Sequence, residues 1–142
     1  MNYRTPAEIL SVAGALLAEF APGAQPPDSV RATGVRPWSR LVAEDELPTV
    51  IDEFARGEAS REGTSVVIGP AGVPGAVPPS ETKGLEFDAV LVVQPGRILA
   101  EGPRGAAELY VALTQATQRL GVLHSDPLPA ALSGLDEVGA SA

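Results

Sequence analysis

The sequence has no cysteine, a single histidine and few basic residues. Without cysteine, a disulfide framework, a thiolate zinc site and a cysteine nucleophile are all excluded. One histidine is too few for a histidine-ligated cluster, and we expect no metal site. The chain has 10 Lys and Arg against 18 Asp and Glu, which gives a formal charge of −8. A free-standing nucleic-acid binder normally has a basic surface, so this charge argues against that class for the chain alone.

Long hydrophobic runs are also absent. No apolar stretch approaches the roughly 20 residues that a membrane-spanning helix needs, and the first residues lack the apolar centre of a signal peptide. We therefore expect a cytoplasmic protein that does not enter a membrane. With 142 residues, 44% of them hydrophobic, the chain is long enough to form one domain with a substantial core.

Helices and strands are predicted to alternate along the chain, because apolar residues recur first at helical spacing and then in short β-branched runs. The unbroken run at 89–93 is typical of a strand covered on both faces in a parallel sheet. The expected class is α/β, with three layers and a mainly parallel sheet. The predicted helices cover 5–20, 44–55 and 103–117, the predicted strands cover 65–68, 89–93 and 120–124, and 29–33 with 38–43 is predicted to form a hairpin.

The domain is predicted to cover residues 1–126, with 127–142 as a C-terminal tail. Glycine (15 residues) and proline (14 residues) are frequent. Many of them fall in 69–79, a segment too rich in proline for a helix or a central strand. We interpret 69–79 as an irregular loop.

Generic catalytic patterns are missing from the sequence. It contains no G-x-S-x-G, G-x-G-x-x-G or H-E-x-x-H motif. The phosphate-binding pattern G-x-x-x-x-G-K-[ST] is also missing, because the only lysine, Lys83, follows Pro-Pro-Ser-Glu-Thr instead of a glycine-rich turn. The chain therefore has no phosphate loop of its own.

Three segments nevertheless resemble the motifs of one protein family. They are Asn2-Tyr3-Arg4-Thr5, then K-G-L-E-F-D at 83–88, then L-Y-V-A-L-T-Q-A at 109–116. In this order they are similar to motifs IV, V and VI of the UvrD/Rep-like branch of superfamily 1 helicases. The resemblance implies a RecA-like fold, and specifically the second of the two RecA-like domains in such motors.

The resemblance implies a role for each matching residue. Tyr3 matches an aromatic residue that stacks on adenine, and Arg4 matches an arginine that reaches the γ-phosphate, a task that suits a planar, permanently charged guanidinium. Glu86 matches the glutamate that hydrogen-bonds the ribose, and Gly84 lets the main chain approach closely. Lys83 lies in the part of the motif that is near the nucleic acid in the family. Two roles remain open for it: a contact with a nucleic-acid phosphate, or an ordinary surface lysine.

Gln115 departs from the family pattern. The family has Leu-Thr-Arg-Ala where this sequence has Leu-Thr-Gln-Ala at 113–116, and the family's arginine is a finger on the γ-phosphate. Such fingers contribute about 10³–10⁵ in rate, whereas glutamine carries no charge, so we expect hydrolysis to be crippled. Arg119 follows four residues later, and we interpret it as part of the turn into the last strand, not as a replacement finger.

A finer resemblance links the chain to HelD-type motors, which bind RNA polymerase. It rests on Ser29-Val30-Arg31, Gly34 and Pro37-Trp38, together with 109–124. An acidic domain suits a protein-directed motor better than one that tracks along DNA.

Taken together, the resemblance implies that ATP binds between two RecA-like domains. The N-terminal domain brings the phosphate loop and the carboxylate that holds Mg²⁺, and this chain brings the second half of the site. The implied activity is ATP-driven DNA translocation or unwinding, or remodelling of RNA polymerase. The implied partners are accordingly the N-terminal RecA-like domain and either DNA or RNA polymerase. Alone, the chain is expected to bind no cofactor and to hydrolyse no ATP.

Two alternatives remain open at this point. One is a stand-alone binding or regulatory module that keeps the fold without catalysis, favoured by Gln115 and by the missing phosphate loop. The other is a fragment of a DNA helicase whose remaining domains supply the basic track. Because the first motif begins at residue 2, we expect the chain to be part of a longer protein.

Overall fold

A computed structural model of the chain describes residues 7–20, 36–59, 63–70, 73, 75–82, 85–100, 104–132 and 134–137. The helices are α1 (Ala7–Phe20), α2 (Leu47–Ala59), α3 (Pro95–Ala100) and α4 (Gly105–Thr114). The strands are β1 (Trp38–Leu41), β2 (Ser65–Ile68), β3 (Phe87–Val93), β4 (Ala116–His124) and β5 (Asp136–Glu137). Short 3-10 helices lie at Glu44–Glu46, Pro79–Thr82 and Ala130–Leu132. None of the helices among these residues is long and apolar enough to cross a membrane.

The five strands form one sheet in the order β2-β3-β4-β1-β5, and every neighbouring pair is parallel. In β3 the residues from Ala89 to Val93 are completely buried. This explains the unbroken β-branched run in the sequence, because a central parallel strand must be apolar on both faces.

Helices cover both faces of the sheet and make three layers. On one face, α1, α3 and α4 bury their apolar sides against β3 and β4. On the other face, α2 buries Leu47 and Ile51 against β2, β3 and β4. The first face includes Ile9, Leu16, Ile98, Leu109, Leu113, Val90, Val92, Leu120 and Val122. The predicted three-layer α/β class with a parallel sheet, as in a RecA-like domain, is confirmed.

The hairpin predicted around β1 is wrong. β1 pairs in parallel with β4 on one side, where Trp38 lies opposite Gly121, and with β5 on the other. A Cβ atom on Gly121 would overlap the Trp38 indole, so the glycine makes room for the aromatic ring across the two strands. The other half of the proposed hairpin, 29–33, lies outside the described residues.

The connection from β3 to β4 also differs from the prediction. α3 was not predicted, because Pro95-Gly96 is typical of a turn; however, proline is well tolerated in a first helical turn, where its missing N–H needs no partner. α4 ends at Thr114 instead of continuing to residue 117. The main chain of Gln115 is already hydrogen-bonded to β3 through its carbonyl, so β4 begins at Ala116.

The segment after residue 126, expected to be a tail, contributes to the fold as far as residue 137. Leu132 is completely buried and Leu135 nearly so, both in the cluster that contains α1 and α4. Asp136 donates its main-chain N–H to the carbonyl of Pro37 at 3.1 Å, which starts the pairing of β5 with β1. The chain beyond residue 137 lies outside the described part.

Within the proline-rich segment 69–79, Val77 lies along the outer edge of β2. Val77 forms a parallel bridge with Ile68, with its N–H donating to Val67 and its carbonyl accepting from Gly69, both at 2.9 Å. The loop therefore covers part of an edge that would otherwise expose unpaired main-chain groups.

Candidate functional site

The structure describes only some of the residues predicted to form a site. Tyr3, Arg4, Lys83 and Gly84 lie outside the described residues, and their roles stay predictions. Glu86 and position 115 are described, together with the strands that follow them. The site is therefore built from these two and from their neighbours.

The two segments that resemble motifs V and VI meet at the amino ends of β3 and β4. Phe87 donates its main-chain N–H to the carbonyl of Gln115 at 3.0 Å. In return, the hydroxyl of Thr117 donates to the carbonyl of Phe87 at 3.3 Å. The peptide group between Glu86 and Phe87 is thus fixed to the end of α4. Two segments that are about thirty residues apart in the sequence form one structural unit.

The pairing of β3 with β4 is irregular at this point. Phe87 lies opposite Ala116, but Ala89 lies opposite Arg119, so β4 has one extra residue. Such a bulge turns the strand and changes the direction of nearby side chains, and bulges are frequent beside functional sites. The irregularity lies within four residues of Gln115.

Glu86 and Gln115 differ in their access to solvent. Glu86 is exposed at the amino end of β3, where its carboxylate is able to accept hydrogen bonds from the hydroxyls of a bound sugar. Gln115 is only 8% exposed and caps the end of α4. Glu86 is therefore accessible from solvent, whereas Gln115 has neither the charge nor the exposure of a residue that reaches a phosphate in another domain.

Thr114 has a structural role at the end of α4. Its hydroxyl donates to the carbonyls of Tyr110 and Val111, at 3.0 and 3.2 Å. The bond to Val111 satisfies one of the last four carbonyls of the helix, which have no N–H partner within it.

The interpretation of Arg119 as a turn residue is wrong, because Arg119 lies within β4. Its guanidinium donates to the Glu58 carboxylate at the end of α2, with 2.7 Å between the Nη2 and Oε1 atoms. The Arg119 side chain is 29% exposed and that of Glu58 11%. Arg119 therefore belongs to the contact between β4 and α2, and this supports the earlier conclusion that it does not replace an arginine finger.

A second contact at the amino end of β3 was missed from the sequence. Thr64, just before β2, donates its N–H to the Asp88 carboxylate at 2.8 Å and accepts the Asp88 N–H through its hydroxyl at 3.2 Å. Gly63 has φ +109°, and a Cβ atom there would overlap the same carboxylate. Asp88 was visible in the motif, but its partners are 24 residues away, and no local pattern connects them.

The carboxyl ends of the strands carry a separate set of polar side chains. Gln94, 1% exposed and with φ +55°, donates from Nε2 to the Ser125 hydroxyl at 2.6 Å and accepts the Ser125 N–H at 2.9 Å. Arg97 donates from both Nη atoms to Glu44, at 3.1 and 3.2 Å, and from Nε to Asp126 at 3.0 Å. Three connections that leave β1, β3 and β4 are joined in this way.

The ion pair between Arg97 and Glu44 shifts the pKa values of both side chains. The hydrogen bond from Arg97, reinforced by its positive charge, lowers the pKa of Glu44. The hydrogen bonds that Arg97 donates, first to Glu44 and then to Asp126, raise the pKa of Arg97 above its ordinary value. Both groups are therefore more firmly charged in the folded chain than as free side chains.

His124, the only histidine in the sequence, ends β4. Its Nδ1 atom lies 2.7 Å from the carbonyl oxygen of Asp126, and because a carbonyl only accepts, Nδ1 carries the proton. The Nε2 atom is buried and has no partner among the described residues. No group of three or more carboxylate or histidine side chains in the described part of the chain is arranged to hold a metal ion.

The likeness of this chain to known proteins lies among solved structures. No protein-family model and no curated protein matches the chain. Among solved structures, it is similar to the crystal structure of the C-terminal domain of a possible DNA helicase from Lactobacillus plantarum WCFS1, with a TM-score of 0.65. The two are 19% identical over 96% of this chain and 95% of that one. At this identity the likeness shows a shared fold over nearly the whole length of both chains.

Proposed function

We propose that this chain is the C-terminal RecA-like domain of a UvrD/Rep-like motor and supplies the second half of an ATP site between two domains. In this proposal the N-terminal domain supplies the phosphate loop and the carboxylate that holds Mg²⁺. This chain supplies Tyr3, Arg4, Gly84 and Glu86, with position 115 at the place of the finger. ATP binding and hydrolysis would then drive movement on DNA or remodelling of RNA polymerase.

The observation that carries the proposal is the contact between Phe87 and Gln115. The main-chain hydrogen bond of 3.0 Å between them brings together the two segments that resemble motifs V and VI. A ribose contact and a phosphate contact belong to one nucleotide, so the two motifs must lie side by side for the proposal to hold. The exposed carboxylate of Glu86 beside this contact supports the ribose role.

The shared fold gives independent support. The similar structure is described as a domain of a possible DNA helicase, and its length matches this chain. The finer assignment to the HelD group rests on the sequence resemblance alone. Within it, Trp38 packs over Gly121, so two of the residues that carry the resemblance lie in contact.

Gln115 favours a second candidate function, a binding or regulatory module of the same fold that does not hydrolyse ATP. Its side chain is uncharged and 8% exposed, and an arginine at the same place is expected to contribute about 10³–10⁵ in rate. Under this alternative, nucleotide binding to the paired domains is retained and turnover is lost.

The test is a paired assay, in which the chain is combined with the phosphate-loop domain of a UvrD/Rep-like motor and ATP binding is measured by calorimetry. We expect no ATP turnover by the chain alone and ATP binding by the pair. In the pair, Glu86→Ala should weaken binding about tenfold, the loss of one hydrogen bond to a charged group.

Glu53→Ala is the matched control, because Glu53 is an exposed glutamate on α2, which packs away from α4. It should leave ATP binding unchanged. Turnover by the purified chain that survives Arg4→Ala, or equal effects of Glu86→Ala and Glu53→Ala, would contradict the proposed site.

The partner is tested separately by co-precipitation. Immobilised chain is offered RNA polymerase and single-stranded DNA in parallel at moderate salt. Retention of RNA polymerase alone supports the HelD-type assignment, whereas salt-sensitive retention of DNA alone supports the helicase fragment.

A further inference from the structure

Under the proposed function, on which this inference rests, Glu86 contacts the ribose and must be held in place. Glu86 precedes β3 and is not itself within the strand. A carboxylate that recognises a sugar must be held within a fraction of an ångström, since small displacements of a binding group are costly. The main chain on its carboxyl side therefore matters for its position.

The two residues after Glu86 are anchored in opposite directions. On one side, Phe87 donates its N–H to the carbonyl of Gln115, just before β4, at 3.0 Å, and its carbonyl accepts from the hydroxyl of Thr117, in β4, at 3.3 Å. Asp88 is bonded to the start of β2, through its N–H and its carboxylate to Thr64. Consecutive residues bonded to opposite neighbours leave the main chain beside Glu86 little rotational freedom.

The contact on the β2 side is shaped for the Asp88 carboxylate. Three hydrogen bonds join the two segments: Thr64 N–H to the carboxylate at 2.8 Å, Asp88 N–H to the Thr64 hydroxyl at 3.2 Å, and Ala89 N–H to the Thr64 carbonyl at 3.1 Å. Gly63, at φ +109°, leaves the space that the carboxylate fills. Any other residue at Gly63 would be strained and would also displace the carboxylate.

We propose that Asp88 is a positioning residue of the nucleotide half-site: with Gly63 and Thr64, it fixes the amino end of β3 so that Glu86 presents its carboxylate to the ribose. Asp88 touches no substrate in this account. Its effect passes through the main chain to Glu86, two residues earlier. The Thr64 contact accordingly belongs to ribose recognition, although Thr64 is distant from motif V in the sequence.

The experiment uses the paired assay with two probes, ATP and 2′,3′-dideoxyATP, which lacks both ribose hydroxyls. The wild-type pair should bind ATP about tenfold more tightly than the dideoxy analogue, and Glu86→Ala should remove this preference. Asp88→Ala should reduce the preference to below about threefold and leave dideoxyATP binding unchanged. Asp88→Asn keeps an oxygen that accepts the Thr64 N–H, so it should retain most of the preference.

Two further variants separate positioning from a general loss of structure. Thr64→Val keeps the size of the side chain and the Asp88 carboxylate but loses the acceptor for the Asp88 N–H, and it should reduce the preference partly. Asp45→Ala removes an exposed aspartate before α2 and should change nothing. Each variant is first shown to unfold cooperatively, and the ratio of two affinities is insensitive to a reduced folded fraction.

The outcomes distinguish this inference from the proposed function. A wild-type pair that binds neither probe, or binds both equally, overturns the proposed function and this inference with it. This inference alone is overturned if the wild-type pair prefers ATP tenfold and the Asp88→Ala and Thr64→Val pairs show the same tenfold preference. A preference for ATP that falls below about threefold in Asp88→Ala, falls partly in Thr64→Val and is mostly retained in Asp88→Asn supports it.

Discussion

The two ends of the sheet differ in which groups form hydrogen bonds. At the carboxyl ends of the strands, polar side chains form hydrogen bonds with one another. At the amino ends, hydrogen bonds hold the main chain of β3, and the Glu86 side chain is exposed. Gln94 and Arg97 each join connections that leave different strands. At the amino ends, Phe87 and Asp88 are held on opposite sides. One end is closed by its own side chains, and the other presents a side chain from a fixed main chain.

The difference is informative because open α/β sheets usually bind ligands at the carboxyl ends of their strands. The preferred place is a crevice between neighbouring strands whose connections leave toward opposite faces. β1 and β4 are such neighbours, since β1 leads to α2 on one face and β4 leads to Leu132 on the other. Arg97 bridges Glu44 and Asp126 across this crevice. A domain whose carboxyl-end crevice is closed in this way suits a role in which the nucleotide is contacted from the amino ends.

The largest expected effect concerns Gln115, at the amino end of β4, where the resembling family has an arginine. In the paired assay, Gln115→Arg should raise ATP turnover by about 10³-fold or more, because it restores a charge at the finger position. A long arginine side chain is able to extend out of a buried position to reach solvent. Gln118→Arg is the control, since Gln118 is a half-buried glutamine in β4 three residues later. Equal rates in the two variants would favour the inactive module.

The next effect tests the carboxyl end. Gln94→Ala should destabilise the fold by about 2–3 kcal/mol, because the hydrogen-bonding groups of Ser125 lose their partner. Gln94→Gly loses the same bonds but relieves the positive φ, so it should be less destabilising than alanine by about 1 kcal/mol. Urea unfolding measures both. Nucleotide binding in the paired assay should not change in either variant; a loss of binding comparable to that in Glu86→Ala would break the distinction between the two ends.

A smaller effect is expected from Arg97→Lys. Lysine keeps the charge but cannot make the two parallel bonds to Glu44 together with the bond to Asp126. These pairs are partly exposed, with 39% exposure of the Arg97 side chain, so the loss of stability should stay below about 1 kcal/mol. The same urea assay applies, with Arg56→Lys as the control, because Arg56 makes an exposed pair with Asp52 within α2. A loss of stability larger than that of Gln94→Ala would show that Arg97, and not Gln94, mainly holds the carboxyl ends of the strands together.

The smallest effect is a dependence of stability on pH. Arg97 lowers the pKa of Glu44 in the folded chain, so this contribution is fully present above the ordinary glutamate pKa and is lost as the pH falls through the lower, folded value. Glu44→Gln should therefore reduce the acid-induced fall in thermal stability that begins below about pH 5. Glu46→Gln, in the same 3-10 helix, should leave that fall closer to that of the wild type. Identical acid profiles for the two variants would contradict the assignment.

The fold class was predictable because periodicity reports burial directly. Ala89 to Val93 is apolar throughout because it is buried throughout, and the helices α1, α2 and α4 follow their apolar stripes. α3 was missed because proline and glycine signal both a turn and a helix start. The parallel pairing of β1 was missed because its partners are distant in sequence, and local alternation favours a neighbouring strand.

The candidate site was predictable only where the motifs themselves carry it. Glu86 and Gln115 were identified by their neighbours in sequence, and their proximity followed from the family pattern. The contact of Gly63 and Thr64 with Asp88 was not predictable, because it depends on the register of β2 against β3. The partner of Arg119 is Glu58 for a similar reason: only the packing of α2 on the sheet brings them together.

The central claim is that nucleotide is recognised at the amino ends of β3 and β4, and only when a phosphate-loop domain completes the site. The most direct test is an amide chemical-shift map of the isotope-labelled chain with ATP, recorded with and without the unlabelled phosphate-loop domain. The account predicts ATP-dependent shifts at 85–88 and 114–117 in the pair, and none in the chain alone. ATP-dependent shifts at 94–97 and 124–126 instead, or no ATP-dependent shift in the pair, would contradict it.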